Sequence, residues 1–129
     1  MSLNPNRPMS EVQVSESTTS IATTPVAAGA LAPVCGYIQR VMAGAGGTTT
    51  GTITVTVTVN NGSDIANGAL TIAAGSNARQ GSTVELALNG AGTTSGVFVN
   101  EGDFITFTPS GGTGASIPGA FVAVIRALA

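Results

Sequence analysis

Residues 52–59 read Thr-Ile-Thr-Val-Thr-Val-Thr-Val and contain the clearest structural pattern in the chain. The odd positions from Ile53 to Val59 are β-branched and apolar, and the even positions are all threonine. Successive side chains of a β-strand point to opposite faces, so this alternation predicts a strand with one apolar and one hydroxyl face. A helix would spread the valines around its circumference and restrict their rotamers. The strand is expected to end at the turn-forming sequence Asn60-Asn61-Gly62-Ser63-Asp64.

The rest of the chain supplies partners for this strand. Short β candidates bounded by turn residues occupy 69–73, 83–88, 96–99, 103–108 and 120–128. Segment 33–43 fits either a helical turn or a strand with a glycine irregularity, and we predict a strand. The chain shows no capped amphipathic helix of ten or more residues. About seven to nine short strands predict a single all-β domain, a sandwich or a barrel.

Three of these segments carry finer expectations about which side chains face inward. In 69–73 the inward residues are Leu70 and Ile72. In 83–88 one face holds Val84, Leu86 and Leu88. Apolar residues occur on both faces of 103–108, so we expect both faces to be covered. The intervening sequence Asn100-Glu101-Gly102 predicts a tight hairpin loop.

Residues 1–32 differ in composition from the remainder. They contain three prolines, many serines and threonines, and few large apolar residues, so this segment cannot bury enough surface to fold alone. We predict an extended N-terminal arm over 1–32 and a β-sandwich domain over 33–129. Val12 and Val14 alternate with polar neighbours, which would allow a short strand or β-addition there. The arm is either disordered or ordered against a neighbouring chain, and its low charge favours the second alternative.

The most unusual feature of the composition is its low content of charged residues. Only 8% of the residues are charged, against about 25% in ordinary domains. All four basic residues are arginines, because the chain contains neither lysine nor histidine. The net charge is −2. A surface of this kind is covered by small polar residues or is buried in an assembly. It offers no basic patch, so we expect no nucleic-acid partner. The N-terminus shows no signal peptide, and the apolar run 27–32 is too short to span a membrane.

The sequence offers little for chemistry. Without histidine or lysine, general-base and Schiff-base catalysis lack their usual residues, so we predict no enzyme and no cofactor. The lone Cys35 is expected to be a small buried thiol. Glu101 and Asp103, with Asn100, provide too few oxygens for calcium, so we predict no metal site. The glycine-rich segments 44–51 and 111–119 lack the lysine of a phosphate loop and are predicted to be plain loops.

A family resemblance covers residues 51–129, about 60% of the chain. It rests on the Thr/Val strand, on the sequence Gly-Val-Phe-Val-Asn-Glu-Gly-Asp-Phe-Ile-Thr-Phe-Thr-Pro-Ser-Gly-Gly-Thr at 96–113, and on Gly-Ala-Phe-Val-Ala-Val-Ile-Arg at 119–126. These segments resemble the small jelly-roll-like β-sandwich proteins that decorate, or cement, the heads of tailed bacteriophages. The resemblance implies a virion protein on the capsid surface, assembled in the host cytoplasm. It also implies a homo-oligomer, with a trimer as the best guess, and the major capsid protein as partner.

Under this hypothesis the N-terminal arm binds neighbouring subunits. The predicted partner-binding residues are Asn4, Pro5, Arg7, Pro8, Val12 and Val14. Two alternatives remain: a head-fibre, tail-fibre or adhesin module that recognises host surface glycans, and a shell or filament subunit. A glycan-binding module should expose aromatic residues and acids in its loops. Tyr37 and the phenylalanines instead lie inside predicted strands, which favours capsid decoration.

Overall fold

The computed structural model describes residues 11–65, 68–75, 81–85 and 97–127, with only the backbone described for 81–85. Within these ranges the chain forms nine β-strands and no helix. Their bounds are β1 Glu11–Thr18, β2 Ala28–Leu31, β3 Gly36–Ala45, β4 Ile53–Val59, β5 Leu70–Ile72, β6 Gly81–Glu85, β7 Val97–Val99, β8 Phe104–Ser110 and β9 Gly119–Ala127.

The strands form two antiparallel sheets. The larger sheet has the order β1-β9-β3-β6, with β7 also pairing with β3, and the smaller sheet has the order β2-β8-β4-β5. The chain crosses between the two sheets six times, which is typical of jelly-roll-like sandwiches. The all-β, jelly-roll-like sandwich predicted from the sequence is therefore confirmed.

The Thr/Val strand lies in the middle of the smaller sheet, as β4. Its residues Ile53, Val55 and Val57 are at most 1% exposed, whereas its threonines are half-buried on the outer face. The predicted face assignment is correct for these positions. Val59, at the end of the strand, is half-buried rather than fully buried.

The other predicted strands are present with shifted bounds. Segment 33–43 contains most of the strand β3, as predicted, but the irregularity is a register shift between Ile38 and Arg40 and does not involve the glycine, because Gly36 pairs in register with Ala127. Leu70 and Ile72 are buried in β5, as predicted. Segment 83–88 corresponds to β6; the Val84 side chain, Leu86 and Leu88 lie outside the described residues.

The loop at 100–102 is tight, but it does not form a hairpin. Gly102 has φ 90°, and the Asp103 N–H donates to the Asn100 carbonyl at 3.0 Å. The flanking strands lie in different sheets, because β7 pairs with β3 and β8 pairs with β2 and β4. The expectation that both faces of β8 are covered is also wrong: Ile105 faces the core, whereas Phe104 on the outer face is 43% exposed.

The predicted boundary at residue 32 between an N-terminal arm and the β-sandwich does not match the structure. Strand β1 pairs with β9 along its whole length, and β2 pairs with β8, so residues 11–31 supply edge strands to both sheets. Val14 is 8% exposed within the core, so its side chain is not available to a partner, and Val12 is half-buried. The small side chains of this segment bury against a core that the later strands build, which composition alone does not reveal. Of the predicted arm, 1–10 lie outside the described residues, including Asn4, Pro5, Arg7 and Pro8.

Candidate interaction surface

One end of the sandwich combines a hydrogen-bonded set of loops with exposed apolar side chains. It is the end at which β1 begins and β4 ends. Its hub is Asp103, whose Oδ2 accepts a hydrogen bond from the Asn100 N–H at 2.9 Å. Its Oδ1 accepts from Asn60 Nδ2 at 3.1 Å. The Asn100 bond and then the Asn60 bond lower the pKa of the Asp103 carboxyl, because both donors stabilise its charged form.

The Asn60 side chain is held in place by a tight turn that follows β4. Asn60 and Asn61 have φ of 54° and 57°, and the Gly62 N–H donates to the Val59 carbonyl at 3.0 Å. Two successive positive φ angles match a type I′ turn, for which asparagine and glycine are preferred. The Asn60 Oδ1 accepts from the Phe104 N–H at 2.8 Å, which ties this turn to the start of β8. The turn predicted from the sequence thus also orders a neighbouring loop.

A third segment, between β2 and β3, is joined to the same loops. The Gly102 N–H donates to the Ala32 carbonyl, and the Ala32 N–H donates to the Asp103 carbonyl, each at 2.8 Å. The Glu101 N–H donates to Cys35 Sγ at 3.4 Å. Cys35 is exposed, so the prediction of a buried thiol is wrong: the residue precedes β3 and lies on the connecting loop.

Three large apolar side chains surround these loops and form what we call the apolar rim: Leu31, Phe98 and Phe104. They are 60%, 41% and 43% exposed. Leu31 and Phe104 lie directly opposite each other on the outer face of the smaller sheet. Phe98 lies on the larger sheet, where its ring meets Tyr37 edge-on with centroids 5.3 Å apart. The rim could not be predicted from the sequence. Alternation assigns side chains to the two faces of a strand, but it does not tell which face packs against the rest of the protein.

The acidic residues of this end do not form a metal site among the described residues. No group of three or more histidine, cysteine, aspartate or glutamate side chains occurs there. Both carboxylate oxygens of Asp103 already accept hydrogen bonds from N–H donors.

In the described part of the chain, no helix is long and apolar enough to cross a membrane.

The glycine-rich segments lie at the opposite end of the sandwich, packed against each other. The Gly46 N–H donates to the Pro118 carbonyl at 2.8 Å, and Thr50 Oγ1 donates to the Thr113 carbonyl. The first segment begins inside β3, which extends to Ala45, and the second segment ends at Gly119, the first residue of β9. Close approach of two backbones explains the abundance of glycine here.

Comparison with known proteins supports the fold. No family model matches the chain, and no curated protein matches it. Among solved structures, a chain of the cyanophage Pam1 capsid asymmetric unit aligns with a TM-score of 0.55 and 15% identity, covering 99% of this chain and 92% of that one.

Two further solved structures align less closely. The Eiger TNF of S. frugiperda aligns with a TM-score of 0.48 and 9% identity, over 95% of this chain and 94% of that one. TmCBM61 in complex with beta-1,4-galactotriose aligns with a TM-score of 0.44 and 11% identity, over 90% and 88% of the two chains. At these identities a likeness concerns architecture alone, and the chain shares its β-sandwich fold, over nearly its whole length, with a chain of a phage capsid asymmetric unit.

Proposed function

We propose that this chain is a structural virion protein that decorates and stabilises, or cements, a bacteriophage capsid by oligomerising on its surface. The observation that carries the proposal is the apolar rim, held by the hydrogen-bonded loops at one end of the sandwich. The fold shared with a chain of a capsid asymmetric unit supports it. The two chains are also close in length, because the alignment covers nearly all of both.

The rim offers apolar area to a protein partner: Leu31 and Phe104 lie side by side on the smaller sheet, and Phe98 lies on the larger sheet at the same end of the sandwich. A phenylalanine has about 200 Å² of surface, so burying the exposed two-fifths of one ring contributes about 2 kcal/mol before the costs of association. The surrounding loops are already fixed by Asp103 and Asn60, so little backbone entropy is lost on docking. We propose the major capsid protein as this partner.

Of the predicted arm, only residues 1–10 precede the first strand, and we propose that this shorter arm acts at the same end of the molecule. Strand β1 starts at Glu11, at the same end of the sandwich as the rim and in the row of the larger sheet that contains Phe98. Ten extended residues reach about 35 Å, far enough to contact a neighbouring subunit. We propose that Asn4, Pro5, Arg7 and Pro8 add to the capsid contact. No catalytic step or cofactor is part of this function.

Co-sedimentation with empty heads, assembled from the major capsid protein encoded with this chain, tests the proposal. Wild type should pellet with the heads. Phe104→Asp should not, whereas Thr108→Asp should bind like wild type, because Thr108 is exposed on the same face of β8 but away from the rim. Equal binding of both variants, with unchanged circular dichroism spectra, would show that the rim is not the contact.

A deletion of residues 2–10 tests the arm separately. It leaves β1 intact, so the sandwich should fold, and binding to heads should weaken at least tenfold if the arm adds about 1.4 kcal/mol or more. A truncated protein that binds heads with undiminished affinity would assign the whole contact to the sandwich.

A glycan-binding module is the second candidate, and one observation favours it. Phe98 and Phe104 lie inside strands, as predicted, but their side chains are exposed on either side of the loop that holds Glu101 and Asp103. Both carboxylate oxygens of Asp103 already accept hydrogen bonds from Asn100 and Asn60. The carboxylate of Glu101 would therefore be the acceptor for a sugar hydroxyl. Binding to a glycan array that Phe98→Ala abolishes, without any binding to heads, would favour this alternative.

A further inference from the structure

Strand β1 is an open edge of the larger sheet. It pairs with β9 on one side, and no strand in the described part of the chain pairs with its other side. It is eight residues long, whereas the other edge strands, β2, β5, β6 and β7, have three to five residues within the described ranges. An open edge presents unpaired N–H and C=O groups to other molecules, and a short edge presents few of them. Of the edges described, β1 therefore most needs protection from pairing with another chain.

The direction of the backbone groups of β1 follows from those of β9. The Arg126 carbonyl oxygen lies against Gly36 and, just before β9, the Pro118 carbonyl accepts the Gly46 N–H, so both carbonyls point towards β3. Successive residues of a strand direct these groups to alternate sides, and directly opposite residues of an antiparallel pair direct them either towards or away from each other. The even-numbered residues of β9 therefore bond to β3, and its odd-numbered residues bond to the even-numbered residues of β1. The N–H and C=O groups that point away from the sheet are those of Glu11, Gln13, Ser15 and Ser17.

Most of the usual ways of protecting an edge strand are absent from β1. Its sequence Glu-Val-Gln-Val-Ser-Glu-Ser-Thr contains neither proline nor lysine, and its pairing with β9 has no register shift. The remaining way is a charged residue on the inner face of the edge strand. Glu16 lies on that face, because it is directly opposite Phe121, which is 1% exposed in the core, and directly opposite residues share a face. The Glu16 side chain is half-buried, whereas Glu11, on the outer face, is exposed.

We propose that Glu16 prevents β1 from pairing with β1 of a second copy. Two copies that pair antiparallel around a two-fold axis join their sheets only in registers that keep both inner faces on the same side. The registers that overlap nearly the whole strand place Glu16 opposite Val12 or Val14 of the other copy. Its carboxylate would then lie between strands, beside an apolar side chain, in the row that continues the core. The loss of hydration of this charge opposes the pairing.

Little else in the chain would replace this protection. The net charge is only −2, so general repulsion between copies is weak. An uncharged, apolar residue at position 16 would extend the alternation of Val12 and Val14 along the inner face of β1, and such uncharged alternating segments on an exposed edge are prone to aggregate. Glu16 therefore directs any association of copies to surfaces other than this edge. The inference concerns β1 alone and does not depend on capsid binding.

Amide hydrogen exchange, measured for each residue by NMR, tests the inference because it reports on the two sides of β1 separately. In wild type at about 0.5 mM, the amides of Gln13, Ser15 and Ser17 should exchange fast, whereas those of Val12 and Val14, which bond to β9, should exchange slowly. In Glu16→Val the first three amides should exchange about fivefold more slowly or less, and this slowing should be lost on dilution. Glu11→Val is the matched control, because it removes the same charge from the outer face of the same strand, and it should behave like wild type.

A proline on the free side of β1 shows whether any slowing comes from this edge. Ser15→Pro removes an N–H that β9 does not use, so the double variant Ser15→Pro with Glu16→Val should exchange at Gln13 and Ser17 as fast as wild type. Slow exchange of Val12 and Val14 in each variant confirms that β1 remains folded.

Four results would overturn the inference: slow exchange of Gln13, Ser15 and Ser17 already in wild type; unchanged exchange in Glu16→Val; equal slowing in Glu11→Val; or slow exchange that persists in the double variant. Because no capsid is present, none of these results depends on whether the protein binds heads.

Discussion

Phe107 of β8 and Phe121 of β9 stack face to face across the two sheets, with ring centroids 5.1 Å apart and an interplanar angle of 4°. Both rings are at most 1% exposed. The pair joins the smaller sheet to the larger one in a core that otherwise consists of aliphatic side chains and alanines. In so lean a core, this one contact should carry a large share of the packing energy.

Replacing Phe107 by alanine should lower the free energy of unfolding by about 3–5 kcal/mol, because it leaves a cavity between the sheets. Phe104→Ala removes the same atoms from a 43% exposed position and should cost about 2 kcal/mol less, because two-fifths of this side chain is already in contact with water and no enclosed cavity forms. Urea unfolding of the two variants measures both values. Equal losses would contradict the assignment of Phe107 to the core.

Val57→Asp should prevent stable folding, whereas Thr56→Asp should leave the fold intact. Val57 is 1% exposed, and an unpaired buried charge costs several kcal/mol. Thr56 points to the outer face of the same strand and is half-buried. Thermal unfolding followed by circular dichroism distinguishes the two, and similar melting temperatures would mean that the face assignment of β4 is wrong.

Gly36→Ala should destabilise the larger sheet by at least about 2 kcal/mol, as expected for overpacking against the backbone. A Cβ at this position would lie 2.1 Å from the Arg126 carbonyl oxygen, so β3 and β9 would have to separate. Gly47→Ala is the matched control, because its added Cβ would meet Ile117 at an ordinary distance of 3.4 Å. A Gly36→Ala protein as stable as the control would show that the two strands adjust freely.

The contribution of Asp103 should depend on pH. Its pKa in the folded protein is below the ordinary value of 3.8, so it stabilises the fold above that pH and loses this effect as the pH falls through the folded-state pKa. Asp103→Asn should therefore melt at a lower temperature than wild type at pH 7, and the difference should shrink as the pH falls below 3.8 and through the folded-state pKa. A constant difference across this range would mean that the carboxylate charge does not hold the loop.

The sequence by itself determined the class of the fold and most of its strands. Alternation at 52–59 is a local property of the backbone, since side chains of an extended chain point to opposite sides wherever the strand is placed. It therefore predicted β4 and the burial of Val55 and Val57 correctly. The turn at Asn60-Asn61-Gly62 was predictable for the same reason, because the φ angles that it needs are a property of these residue types.

Only the tertiary structure decided which strands pair and which faces stay uncovered. Strand β1 has too few apolar residues to indicate burial, yet β9 provides both its hydrogen bonds and the core that covers Val14. Likewise, Phe98 and Phe104 lie on one continuous stretch of sequence but end on different sheets, because the loop between them crosses the sandwich. Pairing and exposure depend on residues far away in the chain, so a local pattern cannot specify them.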